Sequence, residues 1–297
     1  MKDIKNNIIS IFTPTYNRAY LLKALKSCMD KQKNMNFEWI IIDDGSTDNT
    51  EKLVNSWLEQ TTPYCIKYIK QKNQGKHIAF NEAVKYAKGE WFICVDSDDQ
   101  LTENAVNIMT SDVNEFPYGC VGIVYPKELA DVYKEKEWEK INGKKIDIMD
   151  LKVEYGIPES TILMKMSEFQ DLEFPQMENE KFIPESWLYQ KLIQRGKFLA
   201  KNKKFYIAEY QDDGLTKNVW NLWAKNAMGV LSVLREKYNL LGKYSLMRKS
   251  IERIKCIINI NTICMASGKK IKKESPAPIK SKILILPSYY FYKKRYK

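Results

Sequence analysis

Through its first 125 residues the chain repeats one pattern: a short run of mostly apolar residues, a polar turn, and then a stretch with apolar residues at helical spacing. Ile8–Phe12, Trp39–Ile42, Cys65–Ile69, Trp91–Val95 and Cys120–Val124 read as strands. Helices are expected from about Tyr20 to Lys31, from near Asn49, from Ile78 to Ala87 and from Glu103 to about Glu115. Runs such as Trp39–Ile42 and Trp91–Val95 are apolar at every position, the signature of strands buried on both faces of a sheet covered by helices. Strands alternating with helices at this spacing imply right-handed crossovers between parallel neighbours. The expected fold class is therefore α/β, a mostly parallel sheet flanked by helices.

Such sheets bind ligands at the carboxyl ends of their strands. The loops after Phe12, Ile42, Lys70 and Val95 all emerge there, so Thr15, Asp44, Asn73 and Asp96–Asp99 are expected around one crevice. Asp96-Ser97-Asp98-Asp99 packs three carboxylates into four positions. They repel one another unless a cation joins them, and a hard divalent ion such as Mn²⁺ or Mg²⁺, shared with a ligand's phosphates, meets that need. Gly45 permits a sharp turn after the second strand, and Ser46 or Asp48 can cap the helix that follows.

Composition removes several function classes. His77 is the one histidine among 297 residues, which excludes a Ser-His-Asp hydrolase and any multi-histidine metal site. The six cysteines are scattered without a C-x-x-C pair, so neither a zinc site nor a disulfide framework is indicated. No apolar run approaches the roughly 20 residues that cross a bilayer, and Met1–Asn7 is polar, so a cytoplasmic protein is expected. The net charge of +11 is uneven, because Leu231–Lys297 holds 17 Lys or Arg against 3 Glu. A tail of that kind suits an anionic surface, whereas no nucleic-acid recognition motif accompanies it.

After about Tyr125 the pattern loosens. Asp131–Asp150 is charged and reads as a mobile insertion, Gly156–Met164 as a loop and strand, and Lys181–Leu192 as a helix entered through Pro184. Phe205–Tyr210 is a further strand, and Gln211–Gly214 a turn. From Val219 onward the chain is helical and basic, with Lys269–Lys282 as the linker candidate. The aromatic pair Trp220 and Trp223 is read as core.

Ser10–Arg18, Ile42–Asp48, Asn73–Lys76 with Ala79 and Asn81, Gly89-Glu90 and Asp96–Asp99 together resemble the ordered signature of family 2 inverting glycosyltransferases of the GT-A fold. Glu209–Thr216 is similar to a segment of bacterial polysaccharide-assembling members. The resemblance implies a GT-A domain over residues 1–218, with a nucleotide-sugar half (1–125) and an acceptor half (126–218), followed by a basic helical extension over 219–297. It places Pro14, Thr15 and Tyr16 against a base, Asp44 on the imide of uracil, Asn73 and Lys76 beside the donor, and Asp96 on the ribose. Asp98 and Asp99 would hold Mn²⁺ or Mg²⁺ on the diphosphate of a nucleotide-sugar donor, the expected donor being a UDP-sugar.

The resemblance further implies a proton-accepting carboxylate at the start of a later helix. Glu185, beside Trp187, matches that position, with Asp212, Asp213 and Glu159 as rivals. His77 can reach a donor phosphate or serve as a cap. The acceptor implied is a glycan or lipid-linked glycan, and Ile283–Tyr292 in the tail suits the anionic inner face of a membrane. Two other readings compete. A sugar nucleotidyltransferase requires a glycine-rich loop after its first strand, which Thr13–Arg18 lacks; a non-catalytic nucleotide-sugar binder would dispense with the base.

Overall fold

The structure, a computed structural model, describes residues 9–128, 133–209 and 218–297. The chain divides into two compact units, Met1–Glu173 with Leu192–Gln211, and Phe174–Lys191 with Asp212–Lys297.

The first unit is an α/β sheet. Its strands are β1 (Ile9–Thr15), β2 (Phe37–Asp43), β3 (Cys65–Lys70), β4 (Trp91–Cys94), β5 (Gln100–Leu101), β6 (Cys120–Glu128), β7 (Lys145–Ile146), β8 (Ser160–Lys165), β9 (Lys197–Ala200) and β10 (Tyr206–Ile207). They lie in the order β3-β2-β1-β4-β8-β6-β10-β5, with β9 beside β6 and β7 beside β9. The four amino-terminal strands pair in parallel, with Ile9 opposite Phe37 and Trp91, and Asp43 opposite both Thr15 and Lys70. Between β4 and the strand at Cys120 lies β8, which is antiparallel to both. Every residue of β2 is buried, and Trp39 stacks on Trp57 at 5.8 Å while its indole N–H donates to Thr13 Oγ1 at 3.0 Å. Helices Ala19–Asp30, Thr50–Leu58 and Ala105–Asn114 contribute Leu22, Leu25, Val54, Val106 and Met109 to the same core.

Residues 133–153 are not the loose insertion expected from their charge. Helices Glu135–Ile141 and Ile148–Val153 form there, Trp138 and Ile141 are buried, and Lys145–Ile146 pairs with β9. Asp147 and Asp150 close a capping box on the second helix. The abundant Lys and Glu occupy outer faces, and they mask a Trp138/Ile141 pair at i, i+3 that faces inward.

The second unit is helical: Val219–Lys225, Ala227–Leu240, Leu246–Ser267, Ile271–Glu274, Pro278–Ile283 and Ile285–Tyr296. Val230, Leu231, Leu234, Ile260 and Ile263 form its core. Phe174–Lys191 belongs to this unit as well, ahead of the boundary expected near residue 218. The Glu180 carboxylate accepts from the N–H groups of Met228 and Gly229, both at 2.8 Å, at the amino end of helix Ala227–Leu240. An acid there satisfies two otherwise orphaned amides and meets the positive end of the helix dipole. The supposed linker at Lys269–Lys282 is instead two short helices, with Ser275 and Ser281 buried and hydrogen-bonded at 2.6 Å. Trp220 packs edge-on against Trp223, and the Arg295 guanidinium lies 3.9 Å over the Trp220 ring.

Candidate active site

The carboxyl ends of β1, β2 and β4 bring the first, second and fourth loops together. Asn17, in the left-handed region at φ 53°, links two of them: its N–H donates to Ser46 Oγ at 2.8 Å, and its Oδ1 accepts from the Thr47 N–H at 2.7 Å. Asp48 completes the junction by accepting from the Ala19 N–H at 3.1 Å and from Thr50 at 2.6 Å. Burial opposes its ionisation, but these hydrogen bonds outweigh it and hold the carboxyl below its ordinary range.

Asp43 and Asp44 are consecutive yet differ in task. Asp43 is internal, accepting from Tyr68 Oη at 2.5 Å and from the Ser46 N–H at 2.7 Å. The Asp44 carboxylate organises the loop after β3, with Oδ1 accepting from Gln71 Nε2 (2.7 Å) and the Gln74 N–H (2.8 Å), and Oδ2 from the Gly75 N–H (2.8 Å). Gly45 is required between these loops. Its φ is +83°, and a Cβ there would sit 2.9 Å from the Asn73 backbone nitrogen. Asn73 is thereby held against the β2 turn, half-buried.

Thr15, at the end of β1, is buried, and its Oγ1 has no hydrogen-bond partner. A buried hydroxyl left unsatisfied costs roughly 1–3 kcal/mol, so an orphan at a strand end is a place for a ligand. Beside it Pro14 is half-buried and Tyr16 is 47% exposed.

The acidic loop after β4 meets three cations from distant segments. Lys76 Nζ lies 2.5 Å from Asp96 Oδ1, Arg18 Nη1 lies 2.8 Å from Asp98 Oδ2, and Lys127 Nζ lies 3.6 Å from Asp99 Oδ2. For Asp96, burial works against the charge, but Lys76, Lys127 and Arg18 prevail and lower its pKa. Asp99 behaves differently. It is 6% exposed, its Oδ2 accepts from Tyr206 Oη at 2.5 Å, and its Oδ1 accepts from the Glu209 N–H at 3.2 Å. Burial, together with the charges of Asp96 and Asp98, pushes its pKa up to about 6 despite Lys127 and Tyr206.

Asp99 was expected to share a metal with Asp98; in the structure its two oxygens accept hydrogen bonds from Tyr206 and from the Glu209 N–H. Asp96 and Asp98, partly exposed oxygen donors each paired with a displaceable side-chain cation, fit a hard divalent ion. Among the described residues no three acidic, His or Cys side chains form a metal cage, so any ion would draw its remaining ligands from water and phosphate.

Of the other expected residues, Lys76 is in the site. His77 is not exposed to it: the ring is buried in the first turn of helix Lys76–Tyr86, and burial pushes its pKa down to about 4, leaving it neutral. Glu185 lies in the second unit, exposed, immediately before helix Ser186–Leu192, and its Oε2 accepts from Tyr189 Oη at 3.0 Å. Trp187 packs on Phe174 at 4.8 Å rather than standing free for a sugar ring. Glu159 is exposed, at the loop before β8. Asp212 and Asp213 lie outside the described residues.

Sequence reasoning missed Arg18 as a site residue, although it stands in the first motif, and it missed Lys127 and Tyr206. The ammonium of Lys127 lies 4.8 Å over the Tyr206 ring, and that Tyr hydroxyl accepts from the Asp96 N–H at 3.3 Å while donating to Asp99. Only the parallel pairing of Tyr206 with Lys127 across β10 and β6 brings them there. A lysine ending a run of seven buried strand residues was the one available signal.

A family model described as "Glycosyl transferase family 2" matches residues 10–172, more than half of the chain. The chain belongs to glycosyl transferase family 2. Its described architecture is that of GT-A glycosyltransferases. This family 2 glycosyltransferase superimposes on residues 1–349 of TarS from S. aureus, solved in complex with UDP-GlcNAc, with a TM-score of 0.61 and 16% identity, covering 97% of this chain and 91% of that one. It superimposes equally on the mannosyltransferase PcManGT from Pyrobaculum calidifontis, solved with GDP-Man and Mn²⁺, at a TM-score of 0.61 and 16% identity over 97% and 83% of the two chains. Among curated proteins, the glycosyltransferase GlyG of Streptococcus pneumoniae is 34% identical over 112 residues, which is 37% of this chain and 36% of GlyG. The alignments thus span about two fifths of the curated relatives that match first, 41% and 36% in two of them. Among the described residues no helix is long and apolar enough to cross a membrane.

Proposed function

We propose that this chain transfers a sugar, with inversion, from a UDP-sugar to a hydroxyl of a glycan or lipid-linked glycan. The observation that carries the reading is the meeting of an unsatisfied Thr15 hydroxyl, a rigidly held Asp44 and the cation-bound pair Asp96 and Asp98 on one rim of the sheet. Asp44 Oδ2 receives one N–H and keeps capacity for another, which suits the imide N–H of uracil. Pro14, Thr15 and Tyr16 would flank the base, and Asn73 would border the ribose.

Asp96 and Asp98 would hold Mn²⁺ or Mg²⁺, which when bound offsets the negative charge that develops on a departing nucleotide diphosphate. Arg18 and Lys76 supply two further positive charges at that place, available to a diphosphate once their carboxylates have another partner. The two solved neighbours were determined with UDP-GlcNAc and with GDP-Man and Mn²⁺, which supports the reading. Glu185 is the proposed general base, taking the acceptor's proton onto an exposed carboxylate.

The test is a panel of nucleotide sugars with Mn²⁺, read as slow donor hydrolysis and as calorimetric binding. Uridine donors are expected to bind and turn over; binding of another nucleotide without any uridine donor would overturn the role of Asp44. Glu185→Gln is expected to lower turnover by about 10²–10⁴-fold with UDP affinity unchanged. A non-catalytic binder would show no turnover to lose, and a nucleotidyltransferase would instead release pyrophosphate from UTP and a sugar phosphate.

A further inference from the structure

The carboxyl-terminal helices of the second unit leave a specific face uncovered. Hydrogen bonds from the Leu284 N–H to Lys280 O (2.9 Å) and from the Ser288 N–H to Leu284 O (3.0 Å) carry helical structure across the junction of Pro278–Ile283 and Ile285–Tyr296. Ser281 and Ser288, seven residues apart, face inward, where Asn261 Nδ2 donates to Ser281 O and to Ser288 Oγ, both at 3.0 Å. On the opposite side stand Ile279, Ile283, Leu286 and Tyr290, at i, i+4, i+7 and i+11, with the three aliphatic residues 72–79% exposed.

This stripe adjoins a pocket of about 370 Å³ against the first turns of helix Leu246–Ser267. Leu246, Ile254 and Ile257 give it an apolar wall, and Lys249, Arg253 and Lys280 give it a basic one. Nothing acidic balances these charges. Between Tyr244 and Lys297 there are 14 Lys or Arg and two acids, Glu252 and Glu274. Both acids are consumed internally, Glu252 by Lys237 (3.0 Å) and Lys255 (2.6 Å), and Glu274 by Arg235.

We infer that this face docks on an anionic lipid bilayer, with Ile279, Ile283 and Leu286 entering the interface and Lys249, Lys280 and Lys282 meeting phosphate headgroups. Apolar residues flanked by lysines, with Tyr289 and Tyr290 at headgroup depth, suit a surface that is negative above and hydrocarbon below. A second copy of the chain would bring the same positive charges against themselves, and a nucleic acid offers nothing to the aliphatic stripe. The inference is independent of the donor site.

The test uses the full chain, sedimented with vesicles of phosphatidylcholine with and without phosphatidylglycerol. Binding is expected to the anionic vesicles alone. The triple variant Lys249→Gln, Lys280→Gln, Lys282→Gln should partition about a hundredfold less, at roughly a factor of five per lysine. Ile283→Ser with Leu286→Ser should also weaken binding, which a purely electrostatic attraction would not require. Thermal melting unchanged in both variants would show that the fold survives. Absence of binding to anionic vesicles, full binding by either variant, or a concentration-dependent dimer abolished by Leu286→Ser would each overturn the proposal.

Discussion

Two acidic centres, one buried and one half-buried, sit at opposite ends of the same strands, and they are satisfied in different ways. At the amino end, Glu38 accepts from Ser10 Oγ and Lys67 Nζ at 2.6 Å, from the Lys88 N–H at 2.5 Å and from the Gly89 N–H at 3.2 Å. Burial raises its pKa, but these donors outweigh it and the net shift is downward. Two of the four donors are main-chain amides, which no ligand displaces. At the carboxyl end, the half-buried Asp96 and Asp98 are paired instead with the ends of the long side chains of Lys76 and Arg18. Those ends can exchange a carboxylate for a phosphate. What separates architecture from chemistry here is the kind of partner, fixed main-chain amides for the buried Glu38 against displaceable side-chain ends for Asp96 and Asp98.

The comparison breaks first at Asp98. Asp98→Asn is expected to reduce donor hydrolysis by about 10²–10³-fold, the range for losing one element of charge stabilisation, with an unchanged melting temperature. Asp99→Asn should cost visibly less turnover, since the Asp99 oxygens accept from Tyr206 and Glu209. Equal losses in steady-state kinetics would return Asp99 to the metal.

Glu38→Gln should do the reverse. Breaking a buried ionic group that leaves Lys67 uncompensated costs on the order of 3 kcal/mol, readable as a lower denaturation midpoint with turnover per folded molecule retained. Loss of turnover without loss of stability would erase the distinction between the two ends.

Gly45→Ala probes the coupling between loops. With φ at +83° and the Asn73 backbone 2.9 Å from the new Cβ, a destabilisation of about 2 kcal/mol is expected, together with a raised KM for the donor. An unaltered KM would show that the second and third loops bind independently.

The smallest effect concerns His77, which burial holds neutral with its pKa pushed down from 6.5 to about 4. The unfolded chain takes up that proton between those values and the folded one does not, so stability falls as pH drops from 6.5 toward 4. Between pH 7 and pH 5 the contribution is about 1–2 kcal/mol by linkage, and a His77→Gln variant should lack it in urea titrations at the two pH values.

Gly89 shows how a motif can be legible without its purpose being so. It stands in the recognisable series, yet its N–H serves Glu38 and Ser10 Oγ (2.9 Å) at the end away from the crevice. Lys76 was placed beside the donor by resemblance alone, and its partner, Asp96 at 2.5 Å, is visible only in the structure. Tyr206 and Lys127 carried no local signal, because a strand of two residues such as β10 has no periodicity to read.

The alternation of apolar runs with helical spacing determined by itself that this chain builds a parallel α/β core, and that Thr15, Asp44, Asn73 and Asp96–Asp99 share a rim. The burial of β2 and most of β4 requires both faces of the sheet to be covered, which helical crossovers between parallel strands supply. Tertiary structure alone decided that β8 intrudes between β4 and β6, that Phe174–Lys191 joins the helical unit, and that Asp99 accepts from Tyr206. These depend on partners far apart in sequence, such as Pro126 opposite Ser160 and Tyr206 against Asp99, and the energies that select them reside in contacts between segments rather than in the local pattern of either one.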